Sequence, residues 1–288
     1  MANSASSYSD AAIMKCLLTK NFSTIGRVFE DNVITSIKPG AFYQATNLDR
    51  VTLPNVVDIG DFAFAECNAA TIDIPWASIQ TIRSYAFLKC ASANLPGTLN
   101  LAALTVLDSG AFAGVSGSPN TWLTSISLPQ WTGTTTGSSK YQTSSFGVFE
   151  YCTALTSISL PELVATPTYM ARYCSSLTEL VLPKCSSIGT SSIQSCTSLT
   201  KVDIGGALTR LSSSQFSGCN SLNTLILRGI TTVPTLNASA FTGSGLTGSG
   251  SYIYVPKSLE ETIKVASNWS NYAAKIRAVE DYPDVCGS

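Results

Sequence analysis

The sequence contains no histidine. That absence removes histidine general bases, Ser-His-Asp triads and every zinc motif that needs an imidazole. Charge is scarce too: Asp, Glu, Lys and Arg make up 12 % of the 288 residues, and they nearly cancel to a net −1. A nucleic-acid binder needs a basic stripe to displace counterions from phosphates, so that class is set aside. No apolar run approaches the ~20 residues of a membrane-spanning helix, and no membrane insertion is expected. After Met1 there is neither a basic segment nor a continuous apolar stretch, so no secretory signal is read there. No nucleophile elbow, Walker-type loop or EF-hand loop occurs. What is plentiful is serine and threonine, beside a hydrophobic share of 44 %. This is the composition of short strands and turns with an uncharged polar surface.

Self-similarity organises the rest. Cys152 to Pro161 reads Cys-Thr-Ala-Leu-Thr-Ser-Ile-Ser-Leu-Pro, and Cys174 to Pro183 reads Cys-Ser-Ser-Leu-Thr-Glu-Leu-Val-Leu-Pro. Cys196 and Cys219 open further copies, so the cysteines step by 22, 22 and 23 residues. Phe42, Phe64, Phe87 and Phe112 mark the same unit in the first half, stepping by 22, 23 and 25. Leu53, Ile74, Leu101, Leu128, Leu160, Leu182, Ile204, Leu227 and Val255 each mark one coil, about nine in all. Within a unit the spacing puts Leu177, Leu180 and Leu182 inside and Val181 outside. Such a strand cannot bury its apolar side alone, and stacking the units makes a parallel ladder over one continuous core. Proline after the strand stops the ladder, having no N–H to donate.

Two segments carry a family resemblance: Ile59-Gly60-Asp61-Phe62-Ala63-Phe64-Ala65-Glu66-Cys67 and Ile82-Arg83-Ser84-Tyr85-Ala86-Phe87-Leu88-Lys89-Cys90. They resemble the BspA-like leucine-rich repeats of bacterial surface proteins, over about residues 33–256. The pattern departs where Val115 replaces the cysteine after Phe112 and where Met170 stands one position early. It departs again between Leu128 and Leu160, an interval of 32 residues. The resemblance implies a right-handed leucine-rich-repeat solenoid that works by binding and is no enzyme. Its implied partners are host matrix, extracellular or mucosal proteins, or other bacteria, with an extracellular or cell-surface location. Similar repeats in phage tail-associated proteins imply an alternative, a virion component that recognises a bacterial envelope glycan. A structural spacer ranks third.

Solenoid ends need caps. Residues 1–32 are expected to form an N-terminal cap, with Ser9 or Asp10 opening a short helix that carries Ile13, Met14, Leu17 and Leu18. Residues 33–256 form the solenoid and residues 257–288 a C-terminal helical cap, all in one structural domain. Ser258-Leu259-Glu260-Glu261 has the form of a capping box, followed by Leu259, Ile263, Val265, Trp269, Tyr272 and Ile276 on an amphipathic helix.

Cys67, Cys90, Cys152, Cys174, Cys196 and Cys219 occupy one register of the repeat. Their spacing is that of a coil and not of a zinc knuckle, and strand neighbours ~4.8 Å apart are too far for disulfides. They are expected to be buried thiols behaving as small hydrophobes. Neither metal nor cofactor is expected. Gly243 to Gly248 matches G-x-G-x-x-G, but a strand follows it instead of the helix that phosphate binding requires. Asp73, Glu179 and Asp203 stand among Ser and Thr, without the apolar pocket that acid–base catalysis needs.

Binding surface remains. Outward strand positions form two rows, one through Arg50, Thr71, Ser125, Ser157, Glu179, Lys201 and Thr224, the other through Thr52, Asp73, Asn100, Ser127, Ser159, Val181 and Asp203. A second candidate is the insertion Gln130–Phe146, where Trp131 follows its Leu-Pro as Trp76 follows Ile74-Pro75, with Tyr141 and Trp122 nearby in sequence; aromatics on such a loop can stack on sugars or anchor a protein. The candidate ligand-binding residues are therefore Arg50, Asp73, Trp76, Trp122, Trp131, Tyr141, Glu179, Lys201 and Asp203.

Overall fold

The computed structural model describes residues 27–46, 48–91, 94–133 and 146–287. The chain winds as a parallel β-solenoid of about ten coils. One side is built from β1 (Val28–Glu30), β3 (Arg50–Thr52), β5 (Thr71–Asp73), β7 (Thr98–Asn100), β9 (Ser125–Ser127) and β10 (Ser157–Ser159). It continues through β12 (Glu179–Leu182), β14 (Lys201–Ile204), β16 (Thr224–Leu227), β18 (Tyr252–Val255) and β19 (Ile276–Ala278). Hydrogen bonding divides these strands into three ladders, β1-β3-β5, β7-β9-β10 and β12-β14-β16-β18-β19. The central residue of each three-residue strand from β1 to β10 points inward, as Val51, Ile72 and Ile126 do, because side chains alternate across a strand.

The chain then turns into two-residue strands along an adjoining side: β2 (Ser36–Ile37), β4 (Asp58–Ile59), β6 (Thr81–Ile82) and β8 (Val106–Leu107), then β11 (Ala165–Thr166), β13 (Ser187–Ile188), β15 (Arg210–Leu211) and β17 (Thr235–Leu236). The third side is a column of turns tied from coil to coil. Phe62, Phe64 and Glu66 donate backbone N–H groups to the carbonyls of Ser84, Ala86 and Leu88 at 3.0, 2.7 and 2.8 Å. To aim all three the same way, Phe62 and Glu66 adopt left-handed backbone angles (φ 56° and 53°), as Tyr85 and Lys89 do in the next coil. That conformation costs a non-glycine residue roughly 1–2 kcal/mol, and the intercoil bonds offset it. Gly110 takes the corresponding place at φ 67°, beneath the Tyr85 ring.

The core is filled by the inward phenylalanines. Phe42, Phe64, Phe87, Phe112 and Phe149 stack in sequence, with centroids 5.1 to 6.0 Å apart. The six register cysteines are buried thiols. They are more than small hydrophobes, because each donates to a carbonyl one coil earlier. Cys152 reaches Phe112, Cys174 reaches Phe149 and Cys196 reaches Ala171, at 3.2, 3.1 and 3.1 Å.

The ends differ from expectation. β1 begins the ladder within the segment assigned to the N-terminal cap, pairing Phe29 with Val51. The expected helix near Ser9 lies outside the described residues. At the other end no long amphipathic helix forms. Lys257–Leu259 makes a 3-10 turn, Glu260–Val265 a six-residue helix and Trp269–Lys275 a second 3-10 stretch. The capping box is not made, since Leu259 stands at the N-cap without a side-chain hydrogen bond. Val265, expected on the apolar side, is 80 % exposed. Instead β19 pairs with β18 and closes the sheet as one more strand, Ile253 opposite Ile276. Trp269 is buried below it, its Nε1 donating to the Pro234 carbonyl at 2.6 Å.

Candidate functional site

The outward positions of the long strand side form two rows in the expected register. Arg50 stands opposite Thr71, Ser125 opposite Ser157, and Glu179, Lys201 and Thr224 follow one another. Thr52 stands opposite Asp73, Asn100, Ser127 and Ser159 are aligned, and Val181 faces Asp203. The rows are interrupted where the ladders break, between β5 and β7 and between β10 and β12. Along the solenoid the chemistry changes. Arg50 and Asp73 are exposed near one end, β7 to β10 present an uncharged stretch of Thr, Asn and Ser, and charge returns at Glu179 and Lys201, paired at 3.2 Å. Part of the hydroxyl content serves the fold. Thr124, Thr156 and Thr200, each just before a strand, donate Oγ1–H to the carbonyls of Gly97, Thr124 and Thr178 at 2.8, 2.9 and 3.0 Å.

Asp203 is not available on this face. It is 7 % exposed, and Arg228 grips it with Nε to Oδ1 at 2.9 Å and Nη2 to Oδ2 at 2.5 Å. The C-terminal segment lies over it. The same Arg228 Nη2 donates to the carbonyl of Cys286, and the Cys286 side chain packs on Ile226 and Tyr254. Ile226 and Tyr254 belong to the same outward row, two and three strands beyond Val181 in the ladder, and both are buried. The sequence carries one sign of this cover: apolar residues stand where the alternation demands outward ones.

The aromatic candidates are core or near-core residues. Trp131 is 0 % exposed and joins the central hydrophobic cluster, so it cannot present a ring to a ligand. Its position one turn after Leu128, its N–H on that carbonyl at 3.4 Å, carries the ring back inside. Trp122 donates Nε1–H to the Cys90 carbonyl at 3.0 Å and meets Phe87 and Phe112 edge-on. Trp76 tilts against Phe87 at 5.3 Å. Tyr141 lies outside the described residues. The Gly243–Gly248 segment holds a single 3-10 turn, Gly245–Thr247, and leads into β18 and not into a helix.

Among the described residues no group of three or more Cys, Asp or Glu side chains could hold a metal ion, and no helix is long and apolar enough to cross a membrane.

Comparison with known proteins agrees with this architecture. The BspA type leucine-rich repeat region matches in six copies, over residues 11–146 and 120–247. Among solved structures, a leucine-rich repeat protein of Bacteroides ovatus is 23 % identical over 85 % of this chain and 69 % of its own, with a TM-score of 0.45. The leucine-rich repeat protein of T. pallidum is 18 % identical over 88 % and 87 %, with a TM-score of 0.35. The pneumococcal vaccine antigen PcpA is 14 % identical over 87 % and 76 %, with a TM-score of 0.37. No match to a curated protein was found.

Proposed function

Because the chain belongs to the BspA-type leucine-rich repeat family, we propose that it is a non-enzymatic adhesion protein of the bacterial surface whose open strand face binds host matrix or mucosal proteins. Proteins of this type are typically surface-associated, and the fold is typically non-enzymatic. The observation that carries the reading is the pair of outward rows from β3 to β12, exposed or half-exposed throughout and charged at both ends. A flat row of this kind suits an extended protein segment. The charged ends fix its register and the neutral hydroxyl centre supplies hydrogen bonds. Arg50, Asp73, Glu179 and Lys201 are the residues placed to do this. The carboxylates Asp73 and Glu179 stand on open surface and not in an apolar pocket, which also supports binding over catalysis. The glycan-reading alternative rests on Trp131 and Tyr141 held toward solvent, and the buried Trp131 offers it no ring.

The test is saturation binding of the labelled chain to immobilised matrix and mucin proteins, beside intact bacterial envelopes. Binding to a host protein should fall at least about tenfold on reversing Glu179 and Lys201 together with Arg50, and should weaken with salt. Binding to envelopes alone, indifferent to those changes, would overturn the reading.

A further inference from the structure

The outward row of the strand face turns apolar toward β16 and β18, where residues 279–286 cover it. Val181 is 44 % exposed, whereas Ile226 and Tyr254 are shielded by Val279 and Cys286. The covering segment is a 3-10 turn, Val279–Asp281, followed by a four-residue helix, Pro283–Cys286. It belongs to no ladder. A helix of four residues does not hold itself together in water, because its nucleation cost is never recovered by propagation. What holds it is local. The Arg228 guanidinium grips the Cys286 carbonyl, Lys257 Nζ pairs with Asp281 at 2.7 Å, the Lys257 N–H donates to Glu280 at 2.9 Å, and Tyr282 meets Tyr254 edge-on at 5.5 Å. Both Lys257 contacts are on the surface and are worth little.

We propose that residues Val279–Cys286 form a displaceable strap over an apolar docking strip, Ile226–Tyr254, bordered by the Asp203–Arg228 pair, and that a partner's apolar peptide segment takes the strap's place. The resident segment displays the chemistry the strip accepts: small apolar side chains on Ile226 and Tyr254, and a backbone carbonyl on Arg228. Arg228 remains aimed when the strap leaves, since Asp203 holds its fork from the sheet side. An arriving segment therefore meets a preorganised donor and a strip already shaped to apolar side chains. Lifting the strap lengthens the binding face by the strands β16 and β18. The inference rests on the strand-face reading for its use, while the lifting itself does not depend on any ligand.

Cys286 reports the lifting directly. Its thiol is buried against Ile226 and Tyr254 while the strap is docked, and burial pushes it above the ordinary thiol range, so modification requires undocking. Cys174 and Cys196, deep in the core of the same molecule, report global opening. The full chain is exposed to a maleimide under native conditions and modification is followed at each cysteine by peptide mass spectrometry. Cys286 should react at least about 100-fold faster than Cys174, as expected of a low-stability local unit. Lys257→Met, which removes only a surface contact, should speed Cys286 by about two- to fivefold and leave Cys174 unchanged. Reaction of Cys286 in step with Cys174 would overturn the proposal, because the strap would then open only with the whole fold. Once modified by a bulky maleimide, Cys286 cannot re-enter. The chain should then bind an apolar fluorescent dye more strongly with unchanged far-UV circular dichroism, and absence of that increase would refute the docking strip.

Discussion

Arg172 and Glu150 meet across one coil boundary, the Arg172 Nε donating to Glu150 Oε1 at 2.8 Å while the Glu150 side chain is only 1 % exposed. The other carboxylate oxygen accepts the Gly147 N–H at 2.9 Å, and the guanidinium lies 3.9 Å above the Tyr169 ring. Removing the arginine would leave a buried carboxylate without its counter-charge. Arg172→Met should therefore lower stability by about 3 kcal/mol, and Arg172→Lys by less, since lysine keeps the charge but loses the planar fork. Urea midpoints of the two variants check both statements.

The phenylalanine column should dominate stability over the outward rows. Phe87→Ala removes a ring stacked on Phe64 and Phe112 and should cost about 3–5 kcal/mol. Ser157→Ala touches only the exposed hydroxyl bond to Ser125 and should stay within about 0.5 kcal/mol. Thermal unfolding of both variants separates the two. Equal losses would contradict the division between core and face.

The buried thiols make the protein sensitive to alkali. Burial pushes Cys174 up to about 12 and Cys67 up to about 11, from an ordinary value of 9.0. A group raised in the folded state keeps its proton there while the unfolded chain ionises. Its contribution is thus complete below pH 9 and is lost as pH rises toward those folded values. Urea midpoints should fall between pH 9 and 11, and Cys174→Ala, though less stable overall, should show a shallower fall.

Close approach between coils is set at Gly147, where an added Cβ would lie 1.6 Å from the Tyr169 carbonyl oxygen. The contact is backbone, so no side chain can yield. Gly147→Ala should cost about 3 kcal/mol, the scale of overpacking in a filled interior. Hydrogen exchange should locate the loosening at the coils joined by the Phe149 to Met170 backbone bond.

The coil period, the inward Leu and Ile positions and the pairing of outward residues were legible in the sequence because a two-residue alternation and a 22- to 23-residue step leave little freedom once one strand is placed. Arg50 opposite Thr71, and Glu179 beside Lys201, follow from that alone. The ends were not legible. Val28-Phe29-Glu30 and Ile276-Arg277-Ala278 lack the leucine signature and become strands because a neighbouring strand offers its open edge. The capping box near Ser258 matched in letters, but the following residues are drawn into a 3-10 turn and a closing strand by packing. Trp131 has the setting of a loop residue, and only the path of the chain after Leu128 puts it inside. The left-handed angles at Phe62 and Tyr85 carry no local signal, since tertiary bonds impose them on residues that would otherwise avoid them. Nor does the local pattern show that Asp203 would be covered, because the covering residues lie far along the chain at 279–286.

In the turn column Phe62 bonds to Ser84, Tyr85 to Ser109 and Tyr169 to Thr190, each reaching one coil and no further. No coil in that column depends on how many others follow it. A gene that copied one such unit in frame would yield a longer molecule whose new seam repeats bonds already in use, provided the inward rings and the close-packed glycines were copied too. The reach of the face can therefore be lengthened or shortened in steps of a single coil, with the shape of every other coil left as it is.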